Sequence, residues 1–122
     1  MKIIQKSIVI SEDLDYYSTH LDIINPFIPQ KLTEKEREVL AMFMSFTGEL
    51  AEKDRFGTTF RKVVMQKLNL KPGGLSNYIR IFKDKEVVDE ELDGTLHIKN
   101  YLFPETEEQF YQFKILKEKE DE

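Results

Sequence analysis

FRKVVMQKLNLKPGGLSNYIRIFKDKEVV, residues Phe60 to Val88, is the stretch on which the reading of the fold turns. Phe60, Val63, Val64 and Leu68 fall at helical spacing and form one apolar stripe of an amphipathic helix. Leu75, Tyr78, Ile79 and Phe82 make a second stripe of the same kind. Between them, Asn69-Leu70-Lys71-Pro72-Gly73-Gly74 is too short and too rich in turn residues to continue either helix. Asn69 tolerates the left-handed conformation that ends many helices. Pro72 suits the first position of a new helix and disfavours helical geometry at Lys71. Leu70 is expected to be buried between the two helices. The layout is helix, tight turn, helix.

Downstream, the second helix is expected to end near Lys85, where Lys83 and Lys85 complement its negative end. Val87 to Leu92 and Thr95 to Ile98 flank Asp93-Gly94, a strong short-range signal for a β-hairpin. Tyr101-Leu102-Phe103 is placed to extend or close that sheet. Thr106 and Gln109 have capping-box spacing and open an expected C-terminal helix carrying Phe110, Phe113 and Leu116 or Lys117 on one face.

Upstream, Thr33 with Glu36 three residues later is the sharpest helix start in the chain. Val39, Leu40, Phe43, Phe46 and Leu50 supply its apolar stripe. Gly48 and Gly57 bracket the end of that helix and the loop after it, and Thr58 or Thr59 is expected to cap the next. Asn25-Pro26-Phe27-Ile28-Pro29 breaks the pattern before this region. Glu12 to His20 suits a short helix with Leu14, Tyr17 and Leu21 on one side. Ile3, Ile4, Ile8, Val9 and Ile10 suit a strand that needs a partner, either the later hairpin or a second copy.

The chain has 122 residues, 40% hydrophobic, enough for one domain with a real core. It has no cysteine, so disulfides and thiolate metal sites are excluded, and a reducing cytoplasm fits. No apolar run approaches the ~18 residues of a membrane span, and the first residues do not form a signal peptide. Lysines outnumber arginines 14 to 4, which fits an AT-rich bacterial or phage genome. Net charge is −5, yet residues 53–85 hold nine basic and two acidic side chains, and residues 86–94 hold five acids and no base. The positive charge is therefore gathered on the two-helix stretch, where it can attract phosphates despite the acidic total.

KLTEKEREVLAMF, VVMQKLNLKPGGLSNYIRIFKDKEVV and the hairpin after them resemble, over residues 31–103, the winged helix-turn-helix superfamily of MarR-like and related regulators. The resemblance implies a mainly α (α+β) fold, with a three-helix core and a β-hairpin wing. An N-terminal arm with strand and short helix (1–30) precedes it, and a C-terminal helix with charged tail (104–122) follows. Two departures stand out. Gly73-Gly74 replaces the small polar residues that usually open the recognition helix, and Glu86 stands where a glycine commonly precedes the wing. The wing is also acidic, at Asp89, Glu90, Glu91 and Asp93.

The resemblance points to double-stranded DNA, read in the major groove by helix 74–85. Ser76, Asn77, Arg80 and Lys83 lie off the apolar stripe. Arg80 suits guanine, Asn77 adenine, and Ser76 a base or phosphate. Lys71, Arg61, Lys62 and Lys67 suit phosphates, since lysine is a point charge without bidentate geometry. The amides at Gly73 and Gly74 are open to a phosphate. A plain solvated face is the competing reading of the same residues. Tyr78, Tyr101 and Ile81 read as core or rim.

His20 and His97 are isolated and show no metal-ligand spacing, and the acids at 89–93 lack a calcium-loop pattern. No catalytic grouping emerges, so neither enzyme activity nor a metal or other cofactor is expected. The expected function is sequence-specific DNA binding in transcription regulation, by a cytoplasmic homodimer joined through the C-terminal helix and N-terminal strand. The alternative is a winged-helix interaction module in a polymerase, replication or virion assembly, meeting protein at the acidic wing. No membrane partner is expected.

Overall fold

The other elements are arranged around α2 (Glu34–Ser45), in a computed structural model that describes residues 2–105 and 107–119. Its first turn carries the expected capping box. The Glu36 N–H donates to Thr33 Oγ1 at 3.2 Å, and the Thr33 N–H donates to Glu36 Oε1 at 3.0 Å. Val39 to Met44 are buried without a break, so this helix is enclosed on nearly every side. α1 (Asp13–Ile24) packs along it through Leu21, with Tyr17 and Ile24 at the margin of the core. A 3-10 turn at Asn25–Phe27 leads out of α1. The Asn25 side chain closes the proline-bearing loop by donating to Leu32 O and accepting from the Leu32 N–H.

α2 ends at Ser45, earlier than the stripe running to Leu50 implied. Phe46 is extended, and Leu50 lies instead, exposed, on a separate short helix, α3 (Glu49–Asp54), where a loop was expected. Gly48 enters α3 at φ +103, a conformation that side-chain-bearing residues rarely adopt. The carbonyls orphaned at the end of α2 are collected by Arg55. Its Nη1 donates to the oxygens of Phe43 (2.9 Å), Met44 (3.3 Å) and Phe46 (2.6 Å), while the guanidinium lies over the Phe103 ring.

α4 (Thr58–Leu68) and α5 (Pro72–Asp84) follow. Gly57, not Thr58 or Thr59, occupies the cap of α4, and no side chain caps it. Val64 on α4 and Leu75, Ile79 and Phe82 on α5 reach the core. Phe43 stacks with Phe56 (4.4 Å between centroids), and Phe46 with Phe60 (4.6 Å).

β1 (Val88–Glu90) and β2 (Leu96–Ile98) form the antiparallel hairpin, with Val88 opposite Ile98. Its turn is longer than a two-residue Asp-Gly turn. The Glu91 N–H bonds Thr95 O, the Gly94 N–H bonds Glu91 O, and Gly94 sits at φ +88, so Leu92, Asp93 and Gly94 make a three-residue loop. Leu92 is left fully exposed at the tip. Asn100–Leu102 forms a 3-10 turn rather than extending the sheet, and it buries Leu102.

Two expected elements are not formed. Residues 2–11 make no strand, because neither the hairpin nor any other edge in the chain lies against them as a partner. Residues 107–119 make no helix; Thr106, its expected cap, lies outside the described residues. The segment instead runs across α1. Tyr16 Oη donates to Glu105 O at 2.8 Å, Tyr111 meets His20, and Phe113 stacks on Phe27 at 5.0 Å. These contacts are made with side chains of α1 and the turn after it, at intervals that suit an extended chain. Among the described residues no helix is long and apolar enough to cross a membrane.

Candidate nucleic-acid interface

The turn between α4 and α5 is built as its residues dictate. Asn69 takes φ 53, and the Leu70 N–H reaches back to Met65 O at 2.9 Å, closing the end of α4. Lys71 is extended at ψ 159, and Pro72 opens α5. Gly73 and Gly74 stand exposed in the first turn, with no atom near where a Cβ would be. Leu70 is half-buried, between the helices.

α5 divides cleanly. Leu75, Ile79 and Phe82 are buried, Tyr78 and Ile81 are half-buried, and Ser76, Asn77, Arg80 and Lys83 are exposed on the opposite side. Asn77 and Arg80 are already joined, Arg80 Nη2 donating to Asn77 Oδ1 at 2.6 Å. Arg80 also pairs with Asp84 at 3.6 Å, one turn on. Lys83 Nζ lies 3.6 Å from Glu90 on β1, so the acidic hairpin touches the base of the cationic face.

The nine cations of residues 53–85 therefore do not form one field. Lys53 pairs with Glu49, and Lys85 with Glu36. Arg55 is spent on the end of α2. Arg61 is half-buried, its Nε donating to Phe56 O at 2.5 Å, just before the start of α4. Among the described residues, Lys62, Lys67 and Lys71 are exposed and make no ion pair. Charge counted along the sequence misses this, because the neutralising partners come from α2, α3 and β1.

Glu36, His20 and Tyr111, outside this face, depart from their ordinary values. Burial raises the Glu36 carboxyl, but bonds from Lys85 and the Thr33 N–H outweigh it and hold the group below its usual 4.5. Burial lowers His20 below 6.5, only partly opposed by its bond to Leu102 O. Its Nε2 faces that carbonyl at 2.8 Å and so carries the proton, leaving Nδ1 to accept from Tyr111 Oη at 2.5 Å. Burial pushes the Tyr111 hydroxyl up to about 12. Sequence reading left His20 isolated; its partners lie 82 and 91 residues away, with no local signal to announce them.

Among the described residues no group of His, Cys, Asp or Glu is arranged to hold a metal ion. No protein-family model, no curated protein and no solved structure matches the chain.

Proposed function

We propose that the chain is a non-enzymatic, sequence-specific binder of double-stranded DNA acting in transcription regulation. In this reading α2, α4 and α5 form a winged helix-turn-helix with the hairpin as its wing. The observation that carries it is the exposed face of α5. Ser76, Asn77 and Arg80 stand clear of the core beside the exposed Gly73 and Gly74, with Lys62, Lys67 and Lys71, which make no ion pair among the described residues, nearby in the chain. A helix presenting an Asn–Arg pair suits base edges in the major groove, and lysines on the preceding helix and turn suit phosphates. Arg61 counts for less in the phosphate set, because its Nε is held by Phe56 O.

Salt dependence tests the reading quantitatively. Five phosphate contacts give a slope of log K against log salt of about −4.5; three, from Lys62, Lys67 and Lys71 alone, give about −2.7. Fluorescence anisotropy of the full chain on a pool of genomic duplexes is expected to show binding at low salt with the shallower slope. Arg80→Ala is expected to weaken selected sites by about 1–3 kcal/mol. No binding at low salt, or binding indifferent to Arg80→Ala, overturns it.

One feature favours the second reading, a protein-interaction module. Leu92 stands fully exposed at the tip of a hairpin carrying Asp89, Glu90, Glu91 and Asp93, and Glu90 already holds Lys83. An apolar residue ringed by acids repels a phosphate backbone and suits a basic protein groove.

A further inference from the structure

Most of the large apolar side chains left in solvent belong to two segments outside the helices and the hairpin. In residues 2–11, Ile4 is 84% and Val9 94% exposed; in residues 107–119, Ile115 is 95% and Leu116 76% exposed. Ile3, Ile8, Phe110 and Phe113 are exposed in the same two segments. Both run along one side of α1, and a cleft of about 270 Å³ lies between them, with Tyr16 and His20 at its floor. Among the described residues, neither segment makes a backbone–backbone hydrogen bond. Each therefore presents open N–H and C=O groups with apolar side chains beside them, which is the chemistry of an unpaired sheet edge. Residues 2–11 hold two lysines and no acid, and residues 107–117 hold two acids, both at their start, and two lysines.

We infer that these segments are the dimer contact of the protein, residues 2–11 of one copy pairing as a strand with residues 107–117 of a second copy. The occupant is a second copy because every chain carries both unpaired apolar segments, and Glu107 and Glu108 of one copy can meet Lys2 and Lys6 of the other. A two-fold axis then makes two identical pairings. Eight large apolar side chains, four on each segment, are enough for the ~800 Å² per partner of a standard interface. The β-branched residues at 3, 4, 8, 9 and 10 thereby gain the neighbour that one chain denies them. The expected dimer contact is thus made of strands rather than of a C-terminal helix, and it does not depend on DNA binding.

Sedimentation equilibrium of the full chain is expected to give a dimer at micromolar concentrations. Ile4→Lys/Val9→Lys, or separately Ile115→Lys/Leu116→Lys, is expected to raise the dissociation constant about tenfold or more. Circular dichroism and Tm, read at a concentration where all forms are monomeric, are expected to stay unchanged, since these side chains touch no core residue. Because the chain has no cysteine, Ile4→Cys and Phe113→Cys chains can be mixed and oxidised; the mixed disulfide is expected to exceed either homodisulfide. A monomer at 100 μM (a concentration set by the experiment), a dimer indifferent to both lysine pairs, or a predominance of homodisulfide overturns the inference.

Discussion

Lys85 Nζ lies 2.5 Å from Glu36 Oε1 and 2.9 Å from Lys31 O, fastening the end of α5 to the first turn of α2. The carboxylate is mostly buried and also completes the capping box, so one side chain serves a helix start and a tertiary contact. Lys85→Met is expected to leave that carboxylate short of a partner and to cost about 2 kcal/mol. Urea unfolding measures it.

The same group gives a pH signature. Its folded pKa lies below the ordinary 4.5, so its contribution is complete above that pH and is lost as pH falls through the depressed folded value. The stability difference between the native chain and Glu36→Gln is expected to be constant at neutral pH and to shrink below about pH 4.5.

His20 acts in a higher window. Its folded pKa lies below 6.5, so the unfolded chain binds the extra proton first, and stability is expected to fall as pH drops below 6.5. His20→Gln is expected to flatten Tm between pH 7 and 5 (an experimental range). An unchanged slope there would assign the effect to other groups.

Arg55 supplies one nitrogen to three carbonyls at the end of α2. Arg55→Ala is expected to cost about 2–3 kcal/mol, since buried acceptors lose a charged donor. Arg55→Lys is expected to recover only part of it, because an ammonium lacks the planar fork and its stacking on Phe103.

Glu86 occupies a left-handed position at φ 60 just after α5. The Val87 N–H bonds Phe82 O and the Glu86 N–H bonds Lys83 O, the double closure that normally uses glycine. Glu86→Gly is expected to raise stability by about 0.5–1 kcal/mol, the relieved strain exceeding the added freedom of the unfolded chain.

If DNA is the ligand, Glu90 restrains binding by holding Lys83. Glu90→Gln is expected to tighten duplex binding about fivefold, the scale of an exposed ion pair, and to steepen the salt slope by about one contact. Equal affinity with and without Glu90 would place Lys83 away from the duplex.

Where local chemistry decides, the chain could be read directly. Thr33–Glu36, Asn69, Pro72 and the Leu75–Phe82 stripe all act within a few residues of themselves, and all behave as their types dictate. What escaped reading depended on partners distant in sequence. Arg55 looked like one more cation of a basic cluster until α2 ended early and exposed three carbonyls to it. The 107–119 segment has helical spacing, but it forms no helix where Tyr111 finds His20 and Phe113 finds Phe27. On the DNA-facing candidates the sequence located the exposed side of α5 and overstated its charge, since Glu90 is invisible as a partner of Lys83 until the hairpin folds back on α5.

Both ends of α2 are finished by groups borrowed from elsewhere: Lys85 follows α5, and Arg55 follows α3. The central helix begins on its own Thr33–Glu36 box, but neither end is fully held until those later segments arrive, so its stability is coupled to the closure of the whole molecule. Amide protons in the middle of α2 are accordingly expected to exchange with solvent only at the rate set by global opening, while those of α3 escape sooner.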